Sequence, residues 1–199
     1  NYIDVILDRS ALSVKNFQAK YFIEGLDDTS KIRAMELLEM QRHAMLMYTS
    51  CGWFFSDISG IETTQIMKYA ARVIQLAKNF TNKDLETPYL DILSKAQSNY
   101  KEMGNGKEIY TKYVKPSVVT LKQIVSLWAI SSLYQEVGDE EDVYCYTINK
   151  KSYKRIKNGD SQLVVGHVEV HSKITMEHSD IMFAMVQFSG GDFQCALKD

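Results

Sequence analysis

The spacing of apolar residues changes near residue 138, and this change limits the fold more than any other feature of the sequence. Before it, apolar residues recur every three or four positions, as on one helix face: Ile66, Tyr69, Ala70, Val73, Ile74 and Ala77. After it, residues alternate as in a half-buried strand, with Val164, Val168 and Val170 on one face and His167, Glu169 and His171 on the other. The sequence therefore predicts an α+β fold, with an N-terminal helical bundle over residues 1–137 and an antiparallel β-sheet or sandwich over residues 138–199.

Local signals indicate where the predicted helices begin. One helix is expected over about residues 30–48, and Ser59-Gly60-Ile61-Glu62 has the spacing of a capping box, so the next should begin near Gly60. Thr87-Pro88 predicts a third start, with a helical stripe that continues to Met103. Pro116 predicts the start of a last long helix, because proline suits the first helical turn.

The region after residue 138 is expected to form about five antiparallel strands. Asn158-Gly159 lies between two of them and is a strong hairpin signal, while residues 181–188 are almost wholly apolar and predict a central strand. A sheet of about 60 residues is marginal by itself. We therefore expect it to pack against the helices or against sequence outside this chain.

The composition excludes several classes of protein. Apolar residues make up 45% and charged residues 24% of the chain, which is too apolar for a disordered protein. A net charge of −2 and the lack of a long apolar run argue against nucleic acid or a membrane as partner. Three cysteines indicate a reducing compartment, so we expect a cytoplasmic protein. Because the chain starts at Asn1 and ends in a strand-like segment, we also expect it to be part of a longer protein.

The connection between two predicted helices, residues 42–62, holds the densest group of candidate functional residues. Three consecutive aromatic residues, Trp53, Phe54 and Phe55, are unusual in a loop. One interpretation is a hydrophobic plug that locks the corner between the helices. The other is a ligand wall, in which Trp53 faces a sugar ring and nearby polar groups bind its hydroxyls. The polar candidates are Asp57, Arg42 and His43.

Three further hypotheses have simpler structural alternatives. Cys51 could be a nucleophile with His43 as its base, but an isolated cysteine is more often a small buried apolar residue. His167, Glu169 and His171 could bind a metal, but alternation places such residues on any exposed strand face. The basic run over residues 150–157 could bind phosphate or nucleic acid, but it most simply protects a sheet edge. No common catalytic or nucleotide-binding motif occurs, and we predict no catalytic residue, metal or cofactor in this chain.

Several segments resemble a known family. Residues 38–55, with the sequence LEMQRHAMLMYTSCGWFF, continue through residues 57–63 to Tyr69-Ala70-Ala71-Arg72. They resemble the domain of unknown function that follows the catalytic barrel in proteins of the glycoside hydrolase family 57 type. The strand region resembles the same domain more loosely, over residues 166–170, 183–184 and 191–195.

This resemblance implies a non-catalytic accessory region of a hydrolase or glucanotransferase that acts on α-glucans. In such proteins the catalytic Glu nucleophile and Asp acid lie in an N-terminal barrel, of which this chain holds no motif. In the similar helical domain of family 57 branching enzymes, a tryptophan-bearing region helps to wall the glucan cleft. Trp53 matches that tryptophan, and Tyr69, Ala70 and Arg72 match the following helix, whereas Gly52 stands where those enzymes have Asp.

Residue pattern and resemblance together predict a carbohydrate-binding surface. Its candidate residues are Trp53, Phe54, Asp57, Arg42, His43 and Arg72. The expected partners are an α-glucan or related oligosaccharide, bound through the full-length protein, and the N-terminal catalytic barrel of the same protein. The alternative is a structural or oligomerisation module with no ligand contact, and an independent enzyme that uses His43 and Cys51 is a third hypothesis.

Overall fold

The computed structural model describes all of residues 1–199 and contains seven α-helices followed by five β-strands. The helices are α1 (Tyr2–Leu7), α2 (Ala11–Tyr21), α3 (Asp28–Leu46), α4 (Ile61–Ala77), α5 (Glu86–Leu93), α6 (Gly106–Ile109) and α7 (Leu121–Ser131). The strands are β1 (Glu140–Val143), β2 (Tyr146–Asn158), β3 (Ser161–Ser172), β4 (His178–Gln187) and β5 (Phe193–Lys198). The predicted α+β class and the order of helices before strands are confirmed. No helix combines the length and apolar character that crossing a membrane requires.

The strands form one antiparallel sheet in sequence order, β1-β2-β3-β4-β5. A sandwich, the other form allowed by the sequence, is not confirmed, because all five strands belong to this single sheet. Asn158 ends β2 and Gly159 occupies the turn at a φ of 58°, a left-handed conformation that glycine adopts readily. The predicted hairpin is confirmed, and β4 pairs with a strand on each side, as predicted for residues 181–188, although it ends at Gln187.

Contacts within the chain define two compact units. The sheet unit comprises Asn1–Leu26 and Val119–Asp199, and the helical unit comprises Asp27–Val118. The predicted boundary at residue 138 divides the helices from the strands. The two compact units are instead divided after Leu26 and after Val118. As a domain boundary, residue 138 stays a prediction.

The core of the sheet unit lies between α7 and one face of the sheet. Its buried residues are Ile124, Val125, Trp128, Ala129, Leu133, Ile148, Val164, Val168, Val170, Ile181, Phe183 and Met185. Trp128 is central to it, with its ring centroid 5.6 Å from that of Phe183 and 6.1 Å from that of Tyr153, both edge to face. The Trp128 indole N–H donates to Glu141 Oε2 at 2.7 Å, so its one polar atom is satisfied.

The core of the helical unit is formed by α4 and the segment after α5. Its buried residues are Met67, Ala71, Ile109, Tyr110 and Val114. The half-buried side chains around them are Ile58, Tyr89, Leu90, Leu93, Met103 and Val118. This core fixes the segment around residues 98–113 beside α4.

One predicted helix start and one predicted helix length are wrong. Pro116 lies in a short 3₁₀ turn, Lys115–Ser117, and α7 begins at Leu121 because Thr120 and Gln123 form a capping box. Helix α5 begins at Glu86, so Pro88 lies in its first turn as predicted, but the carboxylate that accepts from the first amides, those of Glu86 and Thr87, is that of Asp84.

The predicted continuation of α5 to Met103 is also not observed, because the chain folds back after Leu93. Gln97 and Asn105 form an isolated antiparallel bridge, and the Gly106 amide donates to the Ala96 carbonyl at 2.9 Å. These bonds satisfy backbone groups that a longer helix would have paired internally. The apolar residues of the predicted stripe therefore belong to a short helix and a turn.

The two tryptophans of the chain allow a matched test of the core. Trp128 is 2% exposed and Trp53 is 74% exposed. Trp128→Ala should lower the free energy of unfolding by roughly 3–5 kcal/mol, because it leaves a cavity between α7 and the sheet. Trp53→Ala should change it by less than ~0.5 kcal/mol, as for other exposed positions. Urea unfolding followed by the circular dichroism signal of the sheet measures both, and equal losses in the two variants would contradict this packing.

Candidate functional site

The predicted aromatic residues lie exposed on the connection between α3 and α4. After a 3₁₀ turn over Ser50–Gly52, the side chains of Trp53, Phe54 and Phe55 are 74%, 71% and 46% exposed. Their rings contact each other in sequence, at centroid distances of 6.5 Å and 5.3 Å with interplanar angles of 70° and 82°. We call residues 53–55 the aromatic loop. Within this chain it is a surface feature, so the interpretation as a buried plug is wrong for these side chains.

The carboxylate of Asp57 holds the end of this loop in place. Asp57 Oδ1 accepts from the amide of Ser59 at 2.8 Å and from its hydroxyl at 2.5 Å. From the segment after α5, the Ser98 hydroxyl lies 3.0 and 3.1 Å from the two carboxylate oxygens, and the Asn99 amide donates to Oδ2 at 2.6 Å. The Asn99 side chain also donates to the Ser56 carbonyl at 2.7 Å. We call this set of bonds the Asp57 anchor, since it joins residues 56–59 to residues 98–99.

The anchor favours the ionised form of Asp57. The hydrogen bond from the Ser59 hydroxyl, aided by the Asn99 and Ser59 amides and the Ser98 hydroxyl, lowers the pKa of Asp57 from 3.8 to about 2, although desolvation opposes this. A carboxylate offers about four acceptor positions, and these donors occupy them. Asp57 therefore serves chiefly to fix the loop, and has little capacity left to bind the hydroxyls of a ligand.

Arg42 and His43 lie on the last turns of α3, around a buried carboxylate. Glu39 is 1% exposed; Arg42 Nη1 donates to its Oε2 at 3.2 Å, and His43 Nε2 lies 3.8 Å from the same oxygen. The His43 ring lies against Tyr69 of α4, at a centroid distance of 5.7 Å. These contacts make Arg42 and His43 part of a polar cluster around Glu39, with partners inside the protein.

Arg72 lies one turn after Tyr69 on α4, and its Nη1 donates to Gln75 Oε1 at 2.6 Å. The six predicted residues thus have three settings. Trp53 and Phe54 form the aromatic loop, Asp57 anchors it, and Arg42, His43 and Arg72 lie on α3 and α4 with polar partners of their own.

The structure also reveals residues that the sequence interpretation did not single out. Glu36 and Glu39 are both buried on α3, and the Asn79 side chain donates to Glu36 Oε1 at 2.8 Å. Their spacing of three places them on one helix face, a pattern that was available in the sequence. Met45, near the end of the same helix, is apolar but exposed.

The metal hypothesis for His167, Glu169 and His171 receives little support, whereas the hypothesis of a Cys51 nucleophile stays a prediction. The cysteines Cys51, Cys145 and Cys195 form no disulfide, and no group of three or more His, Cys, Asp and Glu residues is arranged to hold a metal ion. The side chains of the proposed metal set pair individually instead. His167 Nε2 lies 3.0 Å from Asp180 Oδ1, and Lys151 Nζ lies 3.0 Å from Glu169 Oε2.

The Asp57 anchor predicts an unusual titration. Because its folded pKa is depressed, its stabilising contribution is fully present above about pH 4, and is lost as the pH falls through about 2. A carboxyl-detected NMR titration should therefore place the Asp57 midpoint near 2. Ser59→Ala should raise this midpoint more than Ser98→Ala, since the Ser59 hydroxyl is the strongest single cause. A midpoint at or above the ordinary value of 3.8 would show that the anchor is not formed.

Comparison with known proteins identifies the family over the whole chain. The family described as "Domain of unknown function (DUF3536)" matches residues 1–199. No curated protein and no solved structure gives a significant match. The chain therefore belongs to the DUF3536 family, whose description assigns no activity to the surfaces described above.

Proposed function

We propose that this chain is a non-catalytic accessory region of a glycoside hydrolase or glucanotransferase of the family 57 type. In this proposal its aromatic loop helps to wall the carbohydrate cleft of a catalytic barrel that belongs to the full-length protein. The ligand is an α-glucan or a related oligosaccharide. The family 57 relationship rests on the sequence resemblance around residues 38–72.

The observation that carries this proposal is the exposed and firmly held aromatic loop. Exposing three aromatic side chains to water gives up the free energy that their burial would contribute, so such a surface usually has a binding role. The Asp57 anchor fixes the base of the loop before any ligand arrives. A surface ordered in advance loses less conformational entropy on binding, which favours recognition of a ligand.

The ring geometry further limits the kind of ligand. Successive rings of the aromatic loop are inclined at 70° and 82°, so they cannot lie together against one flat ligand face. Trp53 can offer its face to one sugar ring while Phe54 contacts the same chain through its edge. This geometry suits a curved oligosaccharide, such as an α-glucan, better than a flat ribbon.

The alternative function, a structural or oligomerisation module, is favoured by one further observation. Met45, Tyr48 and Ile61, which flank the aromatic loop in the sequence, are also largely exposed. Exposed apolar side chains of this kind can equally be buried against another protein. Analytical ultracentrifugation of the wild-type chain and of Phe54→Asp distinguishes the two functions, because only the oligomerisation module loses a dimer in the variant.

The proposed location is the cytoplasm. Its support is the state of the three cysteines, which form no disulfide and lie half-buried or exposed. Thiols of this kind persist in a reducing compartment.

Trp53→Ala tests the aromatic loop directly. We expect it to weaken maltoheptaose binding about fivefold, the loss that corresponds to an aromatic contact of about 1 kcal/mol. Tyr144→Ala is the matched control, because Tyr144 is also an exposed aromatic residue but lies in the turn between β1 and β2. Isothermal titration calorimetry measures both. Equal affinities of Trp53→Ala and wild type would remove the aromatic loop from the carbohydrate site.

The chain by itself should neither hydrolyse nor transfer α-glucans. In this proposal the nucleophile and the acid belong to the barrel, and the carboxylates described here are engaged in structural contacts. A reducing-sugar assay with maltooligosaccharides and prolonged incubation measures the activity. Turnover that a single carboxylate substitution abolishes would show that the chain has its own active site.

A further inference from the structure

We propose that a groove beside the N-terminal half of α4 binds one unit of a neutral oligosaccharide. The groove has a volume of about 420 Å³ and is lined by Ser59, Ile61, Thr64, Lys68, Met103 and Tyr113. This volume lies within the range typical of small-molecule sites. The inference rests on the carbohydrate role proposed above and extends it to residues outside the aromatic loop.

The hydroxyl groups of the groove are set to accept hydrogen bonds. The Ser59 hydroxyl donates to Asp57 Oδ1 at 2.5 Å, and the Thr64 hydroxyl donates to the Gly60 carbonyl at 2.8 Å. With their protons engaged, both oxygens keep lone pairs that can accept from a ligand. The Tyr113 hydroxyl donates to the Met103 sulfur at 3.9 Å, so its oxygen can also accept from a ligand.

Lys68 supplies the complementary donor. Its side chain is half-buried at the groove, and its ammonium group forms neither an ion pair nor a hydrogen bond within the protein. A ligand hydroxyl can therefore accept from Lys68 while donating to Ser59 or Thr64. Groups that both donate and accept at short spacing are characteristic of sugars, which makes a polyhydroxylated ligand the best chemical match.

The apolar part of the groove fits the faces of a sugar ring. The Tyr113 side chain is 40% exposed, and Ile61 and Met103 lie beside it in the lining. An aromatic face next to convergent polar groups is the usual composition of a small-molecule site. The Lys112 ammonium lies 5.0 Å from the centroid of the Tyr113 ring, so Tyr113 can carry the stacking contact on its opposite face while the polar groups select the hydroxyl pattern.

The surrounding charges favour a neutral ligand over an anionic one. Glu62 lies in the first turn of α4, and its Oε2 lies close to the N-cap residue Gly60, 2.9 Å from where a Cβ would be. A carboxylate therefore already occupies the N-terminus of α4. An adjoining groove of about 320 Å³ contains Glu102 and Glu108 as well as Lys101 and Lys112. This balance offers no excess positive charge for a phosphate group.

The two grooves share Met103 and Tyr113, so a ligand that extends past the Tyr113 ring enters both. Ser59 connects this surface to the aromatic loop, because it lines the first groove and also belongs to the Asp57 anchor. The ligand inferred for the groove is therefore an oligosaccharide of several units, with one unit against Tyr113.

An amide-resolved NMR titration of the whole chain with maltoheptaose, cellohexaose and inorganic phosphate tests the proposal. Maltoheptaose or cellohexaose should shift the amides of residues 59–68 and 101–113. Tyr113→Ala and Lys68→Met should each weaken this binding about fivefold, as expected for the loss of one aromatic contact or one hydrogen bond. Tyr113→Phe, which keeps the ring, should weaken it less than Tyr113→Ala, and Lys83→Met, at an exposed lysine, should leave it unchanged.

The outcomes separate this groove from the aromatic loop. If the sugars shift only residues 53–55, and Trp53→Ala weakens binding while Tyr113→Ala does not, the groove is overturned and the proposed function stands. If the groove responds and Trp53→Ala has no effect, the groove stands and the role of the aromatic loop falls. Competition by phosphate at residues 59–68 would overturn the choice of a neutral ligand, and no response to either sugar would overturn the groove altogether.

Discussion

The hydrogen bonds to the Asp57 carboxylate are the constraint on which the candidate site depends. They join two segments that lie about forty residues apart in the sequence, and both segments carry exposed side chains suited to ligand binding. Without this anchor, the aromatic loop would be an exposed turn free to collapse its rings onto nearby apolar surface. Ser59 adds a second link, because the hydroxyl that stabilises the charged form of Asp57 also lines the groove beside α4. The anchor therefore orders two surfaces at once.

Only part of this anchor could be predicted from the sequence. The contact from Asp57 to Ser59 is local, and aspartate commonly binds the amide two residues later. The contacts from Ser98 and Asn99 depend on the chain folding back after Leu93, which the apolar stripe of that segment obscured. The capping-box spacing of Ser59 and Glu62 likewise predicted that Ser59 caps α4. Its hydroxyl instead donates to Asp57, and Gly60 takes the N-cap position with no side-chain cap.

The sheet unit was easier to predict, because its determinants are local or periodic. The change in spacing near residue 138 gave the order of elements, and Asn158-Gly159 gave the hairpin. The broad apolar face of α7 reflects its packing against the sheet through Trp128.

On α3, the spacing of apolar residues was a poorer guide to which side chains are buried. Glu36 and Glu39 are buried because polar partners such as Asn79 and Arg42 meet them, and a pattern that classes every charged residue as solvent-facing cannot detect this.

Membership of the DUF3536 family accounts for the whole chain but names no chemistry, so an argument about function must begin from the side chains. The polar cluster around Glu39 is mostly buried and paired with neighbouring side chains, as expected of a group that maintains the helices. The aromatic loop and the groove beside α4 differ from it, since their aromatic faces and acceptor oxygens reach solvent and their supporting bonds lie behind them. This division, with satisfied groups inside and ordered groups left open at the surface, is the arrangement that the proposed binding role requires. A binding surface needs only complementary groups held in place, whereas catalysis would also need a reactive group positioned among them.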